Sequence, residues 1–181
     1  MSNIDHFSAL PPVPAFAVTS TSLKDGEALA LPQWSGRLGV PGGQDRSPQL
    51  SWSDAPEGTK SYAITAYDVD APTGSGFWHW AVANIPPDVT ELAEGAGDLS
   101  GPGLPAGAIQ LPNDARDARF VGAAPPPGHG PHRLVITVHA LDVENIGIPP
   151  EGTPAYLGFL MSGHTLGRAT IVGTAEIQSA G

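Results

Sequence analysis

Two acidic side chains stand two positions apart where a β-rich run meets a turn. They are Asp68 and Asp70, within the segment YDVDAP at 67–72. In extended backbone such residues point to the same side, and two ionised carboxylates about 4 Å apart repel by about 4 kcal/mol at an effective dielectric constant near 20. We therefore expect at least one of them to have a donor partner or a raised pKa, as in a binding or acid-base site. The alternative is a turn-forming aspartate that accepts a hydrogen bond from its own backbone.

A histidine between two tryptophans forms the second candidate cluster. It is His79, in the segment FWHWAVAN at 77–84. Strand alternation predicts His79 on one face and both tryptophans on the other. Histidine can donate, accept or carry charge near neutral pH, but a single histidine on a strand is more often a hydrogen-bonded core residue than a functional one. The spacing alone leaves both interpretations open.

A proline run followed by glycines and two histidines forms the third cluster, AAPPPGHGPHR at 123–133. Prolines stiffen the chain and glycines allow a tight turn, so the segment is expected to deliver His132 and Arg133 to the start of a strand. His129 and His132 could form half of a metal site, but a turn is not a helix face and no third ligand is adjacent. We therefore predict no metal and no other cofactor.

The signatures of common catalytic sites are missing from the sequence. The segment GSG at 74–76 lacks the spacing of a nucleophile elbow, and no Walker A lysine motif occurs. The segment GPG at 101–103 has neither a third glycine in place nor a preceding strand, which argues against a dinucleotide site. The chain has no cysteine, which excludes disulfides, a thiol nucleophile and thiolate metal ligands. No residue is indicated as a nucleophile.

The charge of the chain excludes several classes of partner. Its 181 residues carry 8 basic and 18 acidic side chains, for a formal net charge of −10. Nucleic-acid binders need a basic surface, so we predict no nucleic-acid partner. Residues 61–110 hold six acids and no Lys or Arg, and the field of such a protein should repel an anionic membrane surface. A single small anion or zwitterion in a narrow pocket stays compatible with this charge.

Length and hydropathy indicate one globular domain. A chain of this size should bury roughly 70% of the surface that its unfolded form exposes, and its apolar runs fall short of the ~20 residues that span a bilayer. The first ten residues lack the basic and apolar regions of a signal peptide, so we expect a cytoplasmic location. Residues 1–12 are predicted to form a flexible N-terminal arm, and residues 13–181 a single domain.

Seven short β-rich runs, bounded by Gly, Pro and Asp, predict the elements that position the three clusters. They span 16–20, 28–32, 49–53, 61–67, 78–85, 132–142 and 170–177, which favours an antiparallel sandwich or barrel. The run at 132–141 is apolar on both faces and should be an interior strand. One helix is predicted over 154–169, with Thr153 as N-cap and Pro154 at its first position. Its apolar stripe comprises Tyr156, Leu157, Leu160, Met161 and His164.

The clusters, taken in order, resemble the phosphatidylethanolamine-binding protein family, which also includes Raf kinase inhibitor proteins and plant flowering regulators. The resemblance is closest to its bacterial branch. It is carried by SPQLSW at 47–52, DVDAP at 68–72, WHW at 78–80 with NIP at 84–86, and APPP at 124–127 running to the His-Arg pair at 132–133. Each motif alone is weak, but four in register are a strong signal.

The resemblance implies an antiparallel β-sandwich with a few short peripheral helices. It also implies a small pocket at one end of the sandwich that binds anionic groups such as the phosphate of a phospholipid headgroup. Carried over position by position, the ligand-binding residues would be Asp68, Asp70, His79 and His132, with Pro72, Pro125 and Pro126 as walls. The chain departs from the family pattern at Leu134, where a tyrosine is common, and at Ala124, where a glycine is usual.

The sequence thus predicts a non-enzymatic binding protein for a small anionic or zwitterionic, headgroup-like ligand. An aspartate of the pair would orient an imidazole or meet the ammonium of an ethanolamine headgroup. Anion binding is then expected to strengthen as pH falls through the histidine range. A cis Ala71–Pro72 bond is a further expectation, because the turn aims two carboxylates at one pocket.

Two other functions stay open from the sequence. One is a kinase or protease inhibitor, or another protein-interaction module, regulated by occupancy of the pocket. The other is a hydrolase or lyase with a histidine as general base. No stable membrane insertion is expected, and exposed sheet edges leave a homodimer open.

Overall fold

Two antiparallel sheets form the fold, which a computed structural model describes for residues 7–180. The larger sheet has the strand order β6-β4-β3-β7-β8, and the smaller sheet has the order β1-β2-β5. The strands are β1 (Ala17–Thr19), β2 (Leu50–Ser53), β3 (Ser61–Asp68), β4 (Phe77–Ile85), β5 (Glu91–Leu92), β6 (Ile109–Gln110), β7 (His132–Leu141) and β8 (Thr165–Ala175), and the helix α1 is Pro154–Met161. The predicted mainly-β sandwich is confirmed.

The main core lies between the two sheets and depends on the alternation of β7. Leu134, Ile136 and Val138 face the smaller sheet and are buried, and a fully buried side chain of this kind contributes about 2 kcal/mol. β7 pairs with β3 on one side and β8 on the other, so it is an interior strand as predicted. Leu134, where the resemblance implied a tyrosine, is therefore part of the core.

The outer face of the larger sheet carries a second, smaller core under α1. Leu141 of β7 packs there with Leu157 and Met161 of the helix. Thr153 caps the helix as predicted, since its hydroxyl oxygen accepts the Tyr156 N–H at 3.0 Å. Within the part of the chain that the structure describes, no helix is long and apolar enough to cross a membrane.

The helix is shorter than the pattern predicted, and the extension to residue 169 is wrong. Gly163 has a φ of +86°, a conformation that ends helices because glycine adopts it without steric cost. The chain turns there and enters β8 at Thr165. Of the predicted stripe, Leu157 and Met161 are buried, whereas Tyr156 is exposed.

The prediction of a strand over 28–32 is also wrong. Ala28 makes only an isolated bridge to Thr174, and the chain then forms a 3₁₀ turn at Leu31–Gln33. Pro32 lies inside that turn and has no N–H to contribute to a sheet. The two-residue strands β5 and β6 are too short to leave a periodic signal in the sequence.

The predicted N-terminal arm lies partly outside the described residues, since residues 1–6 are not among them. The described part, Phe7–Val13, starts with a turn in which the Leu10 N–H donates to the Phe7 carbonyl at 2.9 Å. Flexibility of the arm and its separation from a domain at residue 13 stay predictions.

Candidate functional site

A β-bulge in β4 determines where His79 points. Ala66 pairs with Trp80 and Tyr67 pairs with Trp78, so His79 is an extra residue without a partner in β3. Bulges re-aim side chains and are frequent beside functional sites. The bulge also places Trp80 in the inter-sheet core and Trp78 against Tyr67, with ring centroids 4.2 Å apart. The expectation that both tryptophans share one face is therefore wrong.

The His79 imidazole is buried and neutral at pH 7. Its Nδ1–H donates to the Val121 carbonyl at 2.8 Å, and the Phe77 ring lies edge-on at 4.9 Å. Burial lowers the pKa of His79 below the usual 6.5, and the hydrogen bond to Val121 and the charge of Asp68 only partly oppose this effect. With the proton on Nδ1, Nε2 is an acceptor until the ring gains a second proton.

His132 and Asp68 form a buried pair where β7 begins and β3 ends. The His132 Nδ1–H donates to Asp68 Oδ2 at 2.6 Å, and the His132 side chain is only 4% exposed. The other carboxylate oxygen, Oδ1, accepts the backbone N–H of Asp70 at 2.9 Å. Asp68 therefore has both of the roles considered for it in the sequence: it closes the turn, and it orients the His132 imidazole.

His129 extends this pair into a chain of three groups. His132 Nδ1 donates to Asp68, and its other ring nitrogen, Nε2, shares a hydrogen bond with His129 Nδ1 at 2.7 Å. Gly128 and Gly130 flank His129 with φ of +76° and +92°, which lets the turn fold the exposed ring back onto His132. Sequence reasoning assigned His129 no role in the site. The sequence feature that could have indicated it is the three-residue spacing of His129 and His132, which was interpreted only as half of a metal site.

Asp70 is turned away from this chain and is held by Arg133. The Arg133 Nε and Nη2 atoms donate to the two Asp70 oxygens at 2.8 and 2.9 Å, and the Arg133 backbone N–H donates at 2.9 Å. The hydrogen bonds from the Arg133 side chain lower the pKa of Asp70 below 3.8. The two carboxylates of the segment DVD therefore have separate partners.

Six of the seven predicted site residues line one cavity of about 190 Å³ at the end of the sandwich; Asp70 does not. Leu38 and Phe77 also line it and were missed. Phe77 could have been inferred from its place beside His79, whereas Leu38 comes from a distant loop and left no signal. The lining comprises Leu38, Asp68, Ala71, Pro72, Thr73, Phe77, His79, Ala124, Pro125, Pro126 and His132.

The Ala71–Pro72 bond at the cavity wall is trans, because no peptide bond between described residues is cis. The expectation of a cis bond is therefore wrong. The neighbouring turn is held by its own hydrogen bonds, in which the Thr73 N–H donates to the Ala71 carbonyl at 2.9 Å. Over residues 7–180, no group of three or more His, Asp or Glu is arranged to hold a metal ion.

Comparison with known proteins agrees with this geometry. A family model described as phosphatidylethanolamine-binding protein matches residues 19–176. The chain belongs to the phosphatidylethanolamine-binding protein (PEBP) family. Two PEBP-like relatives come from Escherichia coli K12. UPF0098 protein YbcL is 45% identical over 164 residues, covering 91% of this chain and 89% of YbcL. UPF0098 protein YbhB is 43% identical over 153 residues, covering 84% of this chain and 94% of YbhB.

A solved structure supports the same assignment. The crystal structure of E. coli YbcL, described as a new member of the mammalian PEBP family, matches with a TM-score of 0.87 and 44% identity. The match covers 90% of this chain and 99% of YbcL. The resemblance to the bacterial branch is confirmed, and the chain is a PEBP-like binding protein.

The ion pair between Asp70 and Arg133 leads to a first prediction, which concerns stability. Asp70→Asn should lower the free energy of unfolding at pH 7 by about 1–3 kcal/mol, because it removes the charge-assisted bidentate contact. The pKa of Asp70 is lower in the folded protein than in the unfolded chain. Its contribution to stability is therefore complete at pH values above the unfolded-state pKa, and it is lost only as pH falls through the folded-state pKa. Urea unfolding at pH 7 and pH 5.5 should show the same deficit. A deficit that vanishes at pH 5.5 would contradict the ion pair.

The neutral His79 gives a second prediction, on the pH dependence of stability. Its folded pKa is lowered by burial, so the unfolded chain takes up a proton first and stability decreases as pH falls below about 6.5. His79→Gln should make the slope of unfolding free energy against pH shallower between pH 6.5 and 5, whatever the absolute stability of the variant. An unchanged slope would show that His79 does not resist protonation.

Proposed function

We propose that the end cavity binds the headgroup of an ethanolamine phospholipid, or a soluble zwitterion of the same chemistry, without turning it over. The observation that carries the proposal is the convergence of His79 and His132 on one small cavity, with Asp68 hydrogen-bonded to His132. Membership of a family named for phosphatidylethanolamine binding supports the same ligand class.

The size of the cavity favours a headgroup over a whole lipid. Its volume of about 190 Å³ lies below the range of about 300–1,000 Å³ that is usual for larger ligands. Proline and apolar side chains make up most of the wall. Such a wall excludes water, which strengthens a few well-placed polar contacts. The acyl chains of a lipid would remain outside this cavity.

The charges of the cavity favour a zwitterion over a simple anion. Its titratable groups are one carboxylate, Asp68, and two imidazoles, of which His79 is neutral at pH 7. The Thr73 hydroxyl, also in the lining, donates to the Gly76 carbonyl. The Asp68 carboxylate can accept from an ammonium N–H, whereas a neutral imidazole nitrogen needs a further proton before it can donate to a phosphate. A ligand that brings its own N–H donors along with the phosphate therefore suits this set.

The same side chains support binding without turnover. No Ser, Cys or Lys is among the described residues that line the cavity, and the one hydroxyl group among them, that of Thr73, donates to the Gly76 carbonyl. The described lining therefore lacks the Ser–His or Cys–His pair with which many hydrolases form a covalent intermediate.

Calorimetric titration with sn-glycero-3-phosphoethanolamine at pH 6 tests the proposal. We expect this phosphodiester zwitterion to bind at least about ten-fold more tightly than the phosphocholine analogue, whose quaternary ammonium has no N–H to donate. Equal affinities, or no heat from either compound, would contradict the proposal. Release of ethanolamine during the titration would instead indicate an enzyme.

A further inference from the structure

A single peptide unit, the one that joins Val121 to Gly122, supports the His79 ring. The carbonyl of this peptide, on Val121, accepts the His79 Nδ1–H at 2.8 Å. Its N–H, on Gly122, donates to Asp45 Oδ1 at 2.8 Å in a buried hydrogen bond. A carboxylate, a peptide and an imidazole therefore form one continuous hydrogen-bonded chain.

The geometry of the peptide bond links the two ends of this chain. A trans peptide unit is planar, so its C=O and its N–H point in opposite directions within one plane, and no peptide bond between described residues is cis. The acceptor that fixes the direction of the Gly122 N–H thereby also fixes the direction of the Val121 carbonyl. Asp45 is therefore placed to orient the His79 ring through the peptide.

The backbone of Asp45 is in a conformation that residues other than glycine rarely adopt. Asp45 is 3% exposed and has a φ of +52°, in the left-handed region that Asp and Asn tolerate better than most residues. Its N–H donates to the Trp34 carbonyl at 2.9 Å, and its carbonyl accepts Arg119 Nη2 at 3.2 Å. Residues held in such a conformation by their surroundings cluster at functional sites.

The second carboxylate oxygen of Asp45 holds another part of the cavity wall. Asp45 Oδ2 accepts the Arg37 backbone N–H at 3.1 Å, and the next residue, Leu38, lines the end cavity. The chain that follows Gly122 supplies Ala124 to the same lining. One carboxylate thus ties together two segments of the wall, although Asp45 is not among the described residues that line the cavity.

The two imidazoles of the cavity are supported in corresponding ways. His132 Nδ1 donates directly to Asp68 at 2.6 Å, whereas His79 Nδ1 is linked to Asp45 through a peptide. A hydrogen bond at one ring nitrogen of a histidine sets which nitrogen carries the proton and how the ring is oriented. With Nδ1 engaged by Val121, Nε2 is the His79 nitrogen that a ligand in the cavity can reach.

We propose that Asp45 is a positioning residue of the end cavity, which holds the His79 ring with Nδ1 at Val121 and Nε2 available to the ligand. This role rests on the headgroup function proposed above only for its effect on affinity. The orientation of the ring is a property of the free protein and is tested without a ligand.

Asp45→Gly removes the carboxylate without adding backbone strain, because glycine adopts positive φ at no steric cost. Nuclear magnetic resonance of nitrogen-15-labelled protein at pH 7.5 shows which nitrogen of neutral His79 carries the proton, and His79→Gln identifies its signals among those of the six histidines. We expect the wild type to carry this proton on Nδ1. In Asp45→Gly the ratio of the Nδ1–H to the Nε2–H tautomer should fall about five-fold or more, because the released Val121 carbonyl binds the ring less well.

Asn84→Gly is the matched control for this variant. Asn84 is also buried and left-handed, with a φ of +58°, and its Oδ1 accepts the Ile146 N–H at 2.9 Å. It lies near the far end of β4 from His79, so Asn84→Gly should leave the His79 tautomer unchanged.

Asp45→Asn tests whether an acceptor oxygen is sufficient. An amide has one acceptor oxygen, which can still bind the buried Gly122 N–H. Leaving that N–H unpaired costs more than leaving the Arg37 N–H on its exposed loop unpaired. The His79 tautomer ratio in Asp45→Asn should therefore stay within about two-fold of the wild-type ratio.

The effect on ligand binding is measured separately by calorimetry at pH 6. Asp45→Gly should bind sn-glycero-3-phosphoethanolamine about three- to ten-fold more weakly than the wild type, whereas Asn84→Gly should stay within about two-fold. All variants are compared at a temperature well below their unfolding midpoints. If the wild type does not bind this compound, the headgroup function is wrong, and the tautomer measurement still decides whether Asp45 orients His79.

Several outcomes would overturn the assignment. A proton on Nε2 of wild-type His79 would show that Val121 does not hold the ring. An unchanged tautomer ratio in Asp45→Gly, or an equal shift in Asn84→Gly, would show that Asp45 does not orient it. A shift in Asp45→Asn as large as in Asp45→Gly would contradict a role through the acceptor oxygen. A shifted ratio with wild-type affinity in Asp45→Gly would show that this orientation does not serve binding.

Discussion

Replacing His132 with alanine is expected to lower the affinity for glycerophosphoethanolamine by at least about 10- to 150-fold. The variant loses a charge-assisted hydrogen bond to the phosphate, worth about 1.5–3 kcal/mol, in which each 1.4 kcal/mol corresponds to about ten-fold. It also leaves the Asp68 carboxylate without the imidazole that lies 2.6 Å away, so an unpaired negative charge faces the ligand. Calorimetry at pH 6 measures the loss.

The chain contains a matched control for this variant. His164 and Asp142 form another imidazole–carboxylate pair, with Nδ1 and Oδ1 2.8 Å apart, on an exposed part of the surface. His164→Ala should change the affinity by less than about two-fold. If His132→Ala binds as tightly as the wild type, or if both variants lose affinity equally, His132 does not contact the ligand in the way assigned.

Ligand binding is expected to take up a proton and to strengthen as pH falls. In the free protein, burial holds the pKa of His79 below 6.5, whereas a bound phosphate stabilises the imidazolium and raises that pKa. Affinity should therefore increase as pH falls from the pKa of His79 in the complex to its pKa in the free protein, by at most about ten-fold per pH unit for one group. Below the pKa of the free protein, affinity should level off. A phosphodiester ligand has no ionisation of its own in this range, so the change reports on the protein.

His79→Gln separates this linkage from other causes. Glutamine stays neutral, so the gain in affinity between pH 7.5 and 5.5 should shrink to less than about half of the wild-type gain. Calorimetry in two buffers of different ionisation enthalpy counts the protons taken up. Affinity that is flat or decreases as pH falls, or an unchanged gain in His79→Gln, would refute the linkage.

Local sequence patterns were sufficient to predict strand β7 and the start of helix α1. The alternation of β7 places Leu134, Ile136 and Val138 on one face whatever the rest of the fold does, and Thr153 followed by Pro154 starts a helix by local chemistry alone. The resemblance then brought distant motifs into one cavity, which spacing along the chain could not have done.

The details of the site depend on contacts that no local pattern encodes. The bulge at His79 arises from the pairing of β4 with β3, so strand alternation placed the tryptophans wrongly. Asp70 faces away because Arg133, 63 residues later, binds its carboxylate. The helix was predicted too long because its apolar stripe continues past Gly163. The left-handed backbone at Gly163 ends the helix there.

His129 shows the same limit at the centre of the proposed site. Its hydrogen bond to His132 requires the turn around Gly128 and Gly130 to fold back, and sequence spacing alone also allowed a metal site. In the ligand-free protein this bond occupies the His132 nitrogen that would face a phosphate. The binding account therefore requires the His129–His132 bond to break when a phosphate binds at that nitrogen.

A crystal structure of the protein grown with glycerophosphoethanolamine near pH 6 tests the central claim most directly. The account predicts a phosphate in the end cavity, with its oxygens within about 3 Å of Nε2 of both His79 and His132, and the ammonium directed at Asp68. His129 should no longer contact His132. A phosphate bound elsewhere, or an end cavity in which the His129–His132 contact persists and no ligand lies, would contradict the account.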